Sequence, residues 1–278
     1  MLSYRHAFHA GNHADVLKHY VLCAVLGHYN RKDAPYWYID THAGAGRYDL
    51  HDPKAALNAE YRTGIGPLWD LSDLSPELSD YVALVRRMNP GGALRRYPGS
   101  PALAAALIRA QDRMRLFEMH PNDAAALRAQ FRERGRQVVI AAEDGFAGLP
   151  GLLPPPTRRA VVLIDPPYEV KADYHRVEEA LRAALRRFAT GTFLVWYPLL
   201  RRREVAMLSE RLRRLPLAAW LRCELAVRDV GEGMYGSGLF VVNPPWTLPR
   251  ILGAGLPELA RHLAQDGTAR FTLDDKIP

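Results

Sequence analysis

Tyr36-Trp37-Tyr38-Ile39-Asp40-Thr41-His42-Ala43-Gly44-Ala45-Gly46-Arg47 decides how this chain is read. An apolar run ends at an aspartate and then turns through two glycines. Glycine is needed where backbone must turn tightly or come close to a bound group. A GxxxxGKS/T phosphate loop is absent, and a GxGxxG dinucleotide turn would need glycine at Tyr48 or Asp49. An acidic strand end followed by Gly-x-Gly fits S-adenosylmethionine, which has no phosphate to cradle. Taken alone, a purely structural glycine turn would read the same way.

Outward from this turn, short apolar runs recur, each ending at a polar or glycine-rich turn. They are Tyr36–Asp40, Met114–Glu118, Gln137–Ala141, Ala160–Asp165 and Thr192–Tyr197. Buried parallel strands have this form. Two later runs, Leu221–Arg228 and Leu239–Asn243, flank the glycine-rich stretch Gly231–Gly238 and read as an antiparallel pair. Helical stretches lie between most of them, at Pro121–Arg134, Tyr174–Arg187 and Arg201–Leu215. The alternation predicts an α/β fold with a seven-stranded, mostly parallel sheet and helices on both faces. With the ligand above, that is the Rossmann-like class I methyltransferase fold. One interval breaks the rhythm: 73 residues separate Asp40 from Met114, far more than one crossover helix needs. A helix over Leu71–Met88 and prolines at 53, 67, 76 and 90 predict a small helical insertion at about 52–96 within a single domain spanning 1–278. The insertion ends at Tyr97-Pro98-Gly99-Ser100-Pro101, where Ser100 is expected to cap a helix that starts at Pro101.

Order along the chain strengthens the first signal. The second strand ends at Glu118, where a carboxylate can accept hydrogen bonds from both ribose hydroxyls. The third leads to Glu143-Asp144-Gly145-Phe146, where an acid can reach the adenine amine of a cofactor. Either acid alone is more simply a helix cap or turn residue. Three in series, each at a strand's carboxyl end, converge on the crevice where open α/β sheets bind ligands.

The fourth strand runs straight into Asp165-Pro166-Pro167-Tyr168. An adenine amine is a poor nucleophile because its lone pair is delocalised into the ring. Asp165 can accept one N6–H bond and the Pro166 carbonyl the other, favouring a pyramidal nitrogen. Proline fixes φ and removes a donor, so the turn presents its carbonyls rigidly. Tyr168 can stack on the base. A plain Pro-Pro loop after a strand is the bland alternative. Asn243-Pro244-Pro245-Trp246 also follows an apolar strand, but at the seventh strand it reads as a structural exit.

Composition sets the setting. The chain has 278 residues, 48% hydrophobic and 24% charged, as in a globular protein that buries a full core. Two cysteines, Cys23 and Cys223, form neither a CxxC pair nor a zinc spacing, which suits a reducing, cytoplasmic setting. No run of 18 apolar residues and no leader pattern occur, so neither a membrane span nor secretion is expected. The net charge of +7 favours a polyanionic partner, although arginine-rich solvated helices would give the same balance. Arg86-Arg87, Arg95-Arg96 and Arg201-Arg202-Arg203 are candidate phosphate contacts on the same terms.

The opening is distinctive: Tyr4-Arg5-His6-Ala7-Phe8-His9-Ala10-Gly11-Asn12-His13-Ala14-Asp15-Val16-Leu17-Lys18-His19. His9 and His13 stand four apart, but no third ligand has a diagnostic spacing, so no metal is expected. A helix beginning near Asn12 brings Lys18 and His19 together. A cation there can hold the cofactor's carboxylate, and Tyr4 or His6 can meet the target nucleotide.

This opening, with Asp40-Thr41-His42-Ala43-Gly44-Ala45-Gly46-Arg47-Tyr48, Tyr97-Pro98-Gly99-Ser100-Pro101, Asp144-Gly145-Phe146 and Leu163-Ile164-Asp165-Pro166-Pro167-Tyr168, resembles the RlmJ (YhiR) family. Those are bacterial 23S ribosomal RNA adenine-N6 methyltransferases. The resemblance spans nearly the whole chain and is looser in the insertion and the last 30 residues. It implies that His19 and His42 contact S-adenosylmethionine, with Lys18 beside His19. Ser100, Glu118 and the Asp144-Gly145 pair complete that site, Asp165 is the catalytic acceptor, and Tyr4 touches RNA. It also implies a monomer with no stable protein partner, acting on a single adenine of 23S ribosomal RNA. Three rivals stay open: a DNA adenine-N6 methyltransferase, a methyltransferase for a glutamine amide in a protein, and a non-catalytic RNA-binding protein. An asparagine usually opens the glutamine version of the turn, so Asp165 favours adenine. The full set of strand-tip acids speaks against the third.

Overall fold

The computed structural model describes residues 6–52, 58–229 and 233–277. Its strands, in chain order, are β1 (Trp37–Asp40), β2 (Arg47–Asp49), β3 (Arg96–Pro98), β4 (Arg113–Phe117), β5 (Val138–Ala141), β6 (Ala160–Ile164), β7 (Thr192–Leu199), β8 (Trp220–Ala226), β9 (Gly236–Val242) and β10 (Arg270–Lys276). Eight of them form one sheet in the order β10-β8-β9-β7-β6-β1-β4-β5, and β2 and β3 pair separately. Strands β5, β4, β1, β6 and β7 run parallel. Strand β9 is antiparallel to both neighbours, and β10 is antiparallel to β8.

Period-two alternation divides the side chains of each strand between two cores. On β6, Val161 and Leu163 belong to one core, while Ala160, Val162 and Ile164 belong to the other. The first core is centred on α1 (His13–Asn30). Asn12 caps this helix, its side-chain oxygen accepting from the Ala14 and Asp15 amides at 3.0 and 2.9 Å. Fourteen of its eighteen residues are buried, so other elements cover it on every side. It packs on β9 and against the helices Ser100–Leu107, Pro76–Arg87 and Leu248–His262. The amphipathic helices Ala172–Arg187 and Arg203–Arg213 close the second core with Val177, Leu181, Ala184, Leu208 and Leu212.

Three details differ from the sequence reading. The sheet has eight strands rather than seven, because Arg270–Lys276 adds an edge strand on β8. That strand carries Arg270, Asp274, Asp275 and Lys276, and it lacks the apolar run by which buried strands are recognised. Strand β9 starts within the glycine-rich stretch, at Gly236 rather than at the expected Leu239. A Cβ on Gly236 would stand 2.2 Å from the Leu225 carbonyl oxygen, and one on Gly238 would stand 2.6 Å from the Tyr197 ring. Glycine here serves close strand pairing. Finally, Ser100 is the first residue of its helix rather than the cap. Its hydroxyl donates to Asp40 Oδ2 at 2.7 Å.

Candidate active site

Chain order reverses between β1 and β6, which makes their carboxyl ends the switch point where such sheets open a crevice. A cavity of about 520 Å³ lies there, walled by the ends of β1, β4, β6 and β7 and by the first half of α1.

One half of the cavity is built around Glu118. Its Oε2 accepts from the Gly44 amide at 2.8 Å and its Oε1 from the His120 amide at 2.7 Å. Burial raises its pKa. Gly44 and Gly46 have φ of +61° and +78°, where side chains are strained, and a Cβ on Gly44 would stand 2.3 Å from the Tyr48 hydroxyl. The aspartate of the opening motif has a different part. Asp40 is fully buried below the cavity and accepts from the Tyr38 and Ser100 hydroxyls, both at 2.7 Å, and from the His42 amide at 3.2 Å. It ties the turn and the helix after Gly99 to the strand tip. His42 lines the cavity with its ring edge-on to Phe146 at 4.8 Å, and burial drives its pKa down to about 4, so the ring is neutral at pH 7. Asp144 caps the short helix Gly145–Gly148 through the Phe146 amide at 2.9 Å and pairs with Arg176, whose guanidinium lies 4.6 Å over the Phe146 ring.

The other half is built around Asp165. Lys18 donates to its Oδ2 at 2.6 Å and meets Asp15 Oδ1 at 2.9 Å. Asp15 Oδ2 in turn takes the Gly11 amide and His6 Nε2, both at 2.9 Å. The Lys18 ammonium is buried, and the two carboxylates raise its pKa against the pull of burial. Burial pushes Asp165 up to about 6, against the lowering pull of Lys18. Tyr168 sits at φ +52°, a strained value for a tyrosine, and its hydroxyl donates to the Trp196 carbonyl at 2.7 Å. The Trp196 indole faces the same space, 5.6 Å from the Lys18 ammonium.

The cavity lining thus brings together His6, Lys18, His19, His42, Gly44, Ser100, Glu118, Asp144, Asp165, Pro166 and Tyr168. Tyr4 lies outside the described residues. Gly145 stands behind the lining, where a Cβ would meet the Thr41 carbonyl oxygen at 2.0 Å. Gly145→Ala is therefore expected to destabilise the fold by about 1–3 kcal/mol, read as a lower melting temperature. The Lys18 ammonium reaches the cavity between Asp15 and Asp165. His19 Nδ1 is bonded to the Tyr97 hydroxyl at 2.8 Å, and burial lowers its pKa to about 3. His9 is paired with Glu60 at 2.8 Å, and among the described residues no cluster of His, Cys, Asp and Glu could hold a metal.

Asp15, Arg176 and Trp196 escaped the sequence reading. Asp15 stood in plain view in the opening motif, but an acid in a helix's first turn is ordinary. The other Pro-Pro turn lies elsewhere. Because β9 runs against β7, Asn243 emerges beside Thr192, at the amino ends of the parallel strands and so at the opposite end of the sheet from the cavity. Its amide donates to the Ala189 and Gly191 carbonyls at 2.8 Å each. Of the basic clusters, Arg86 is turned onto the Trp69 and Leu71 carbonyls, and Arg201 is paired with Asp229.

The sheet order, with its crevice and strand-tip acids at the switch point, is that of the Rossmann-like class I methyltransferase fold. A family model described as ribosomal RNA large subunit methyltransferase D, RlmJ, matches residues 33–274. The chain is 44% identical to ribosomal RNA large subunit methyltransferase J of Haemophilus influenzae over 277 residues, covering 99% of this chain and 98% of that one. It is likewise 44% identical to the Escherichia coli protein of the same name, over the full length of both. A crystal structure of a Legionella pneumophila protein superimposes with a TM-score of 0.89 at 35% identity, covering 96% of this chain and 98% of that one. The chain belongs to the RlmJ family. No helix among the described residues is long and apolar enough to cross a membrane.

Proposed function

We propose that this protein methylates the N6 amine of one adenine in 23S ribosomal RNA, with S-adenosylmethionine as methyl donor. The cavity has room and chemistry for the donor. Glu118 presents an acceptor for ribose hydroxyls, and His42 and Phe146 offer ring walls for a purine. When bound, the donor supplies an electrophilic methyl group on a sulfonium.

The chain's own residues do the rest. Lys18 fixes Asp165 through Oδ2, and among the described residues no hydrogen bond engages Oδ1. That oxygen can accept one N6–H, and the Pro166 carbonyl the other. The nitrogen lone pair is then directed out of the ring plane toward the methyl carbon. Orientation of this kind and negative charge beside a nitrogen turning positive are the two sources of rate. On methyl transfer from the donor's sulfonium, the amine would shed one proton, which the Asp165 carboxylate could take and pass to solvent. Tyr168, pinned to the Trp196 carbonyl, offers a ring face to the base. His6, on the cavity wall, and Tyr4 are the proposed RNA contacts.

The observation that carries this reading is the placement of Asp165 at the cavity with one oxygen anchored and the other open. The test incubates the protein with labelled S-adenosylmethionine and unmodified 23S ribosomal RNA, duplex DNA or protein. Label recovered as N6-methyladenine in the RNA supports it, whereas label in DNA or protein, or none, rejects it. Asn243→Ala belongs in the same assay and is expected to retain activity. Loss of transfer in that variant with Asp165 intact would reverse the assignment of the two turns.

A further inference from the structure

Asp15 lies 1% exposed in the first turn of α1, yet it engages three groups around the cavity. Its Oδ1 stands 2.9 Å from the Lys18 ammonium, and its Oδ2 takes the Gly11 amide and His6 Nε2. Lys18 is the only cation within bonding distance of Asp165 among the described ion pairs, and it is divided between two carboxylates. A lone Lys18–Asp165 pair would be neutral and would spend the acceptor's charge on the ammonium. With Asp15 added, the three groups carry a net charge of −1 next to the space where an amine would turn positive.

We propose that Asp15 is a positioning residue for methyl transfer: by drawing Lys18 partly to itself, it keeps Asp165 anchored without neutralising it. It acts through Lys18 and touches neither base nor donor. The inference rests on the function proposed above for Asp165, but the charge sharing can be measured without turnover.

The titratable groups facing Asp165 are Lys18, Asp15 and His6 from the N-terminal elements, Tyr168 on its own loop, and Tyr38 on β1. Asp15 also faces His19 and Tyr48. Of these, Lys18 pulls the Asp165 pKa down most strongly, and Asp15 opposes it. Asp15→Asn leaves an oxygen for the Gly11 amide and removes the competing charge. Lys18 then turns wholly to Asp165, and the Asp165 midpoint moves to lower pH. Lys18→Gln keeps Asp15, removes the cation, and moves the midpoint to higher pH. Each shift is expected to be about one unit, as for an opposite charge gained or lost at this range.

The experiment follows the Asp165 side-chain carbon by ¹³C NMR from pH 4 to 9 in protein labelled at the aspartate carboxyl carbons. The resonance is assigned by its absence in Asp165→Asn. A downward shift in Asp15→Asn and an upward shift in Lys18→Gln support the proposal. An unmoved or raised midpoint in Asp15→Asn overturns it. So does an unmoved midpoint in Lys18→Gln, which holds even where Asp15→Asn does not fold. Methylation of ribosomal RNA by the wild-type protein, run in parallel, separates the two readings. A silent wild type sinks the proposed function, while an active wild type with unmoved midpoints sinks only the role of Asp15.

Discussion

Asp165→Ala is expected to lower methyl transfer to ribosomal RNA by about a thousandfold or more while the affinity for S-adenosylmethionine changes little. In the proposed reaction, this carboxylate is both the acceptor that aligns the amine and the negative charge beside the developing cation. Removing it takes away both, and Lys18 is left paired with Asp15 alone, so the net negative charge beside the amine is lost. The donor's ribose and adenine lie toward Glu118 and Asp144 in this reading, so calorimetric binding of the donor should be nearly unchanged. Parallel loss of binding and turnover would place Asp165 in the donor site instead. The wild-type pH profile carries the same signature. The amine needs the carboxylate form, and burial holds Asp165 up near 6. Single-turnover rates should therefore fall as pH drops through that region and level off above it. A rate that rises on acidification would contradict the assignment.

Glu118→Ala should produce the complementary pattern. The carboxylate accepts from the Gly44 and His120 amides at once, and in the proposed complex it accepts from the ribose hydroxyls as well. Hydrogen bonds to a charged group contribute about 1.5–3 kcal/mol each. Loss of the ribose contacts, with two backbone donors left searching for partners, should raise the Kd for S-adenosylmethionine by about a hundredfold. Transfer at saturating donor should fall much less. Calorimetry of the variant with the donor and with S-adenosylhomocysteine tests this. An unchanged Kd would move the ribose elsewhere in the cavity.

The parallel half of the fold was legible because its strands announce themselves twice, by apolar runs and by the acids or glycines that end them. Order along the chain was enough to bring Gly44, Glu118, Asp144 and Asp165 to one crevice. What was hidden had no pattern to reveal it. The strand Arg270–Lys276 pairs through its backbone with a charged sequence, so hydrophobic periodicity passes over it. Ser100 carries the signature of a helix cap, but a buried Asp40 claims its hydroxyl, a tertiary contact that local sequence does not encode. Arg176 and Trp196 reach the cavity from elements chosen for packing, each as a single residue. Asp15 was visible, but its partners lie across the fold: Asp165 is 150 positions away, and only the folded chain brings Lys18 between them.

The charged edge strand has a consequence for the molecule's behaviour as a solute. Without Arg270–Lys276, the backbone donors and acceptors of β8 would face water along a row whose neighbours Leu221, Cys223 and Leu225 are wholly buried. An open, sticky border of that kind recruits further chains into intermolecular β-structure. The strand Arg270–Lys276 closes that border and sets Arg270, Asp274, Asp275 and Lys276 along it, charges of the kind that discourage further pairing.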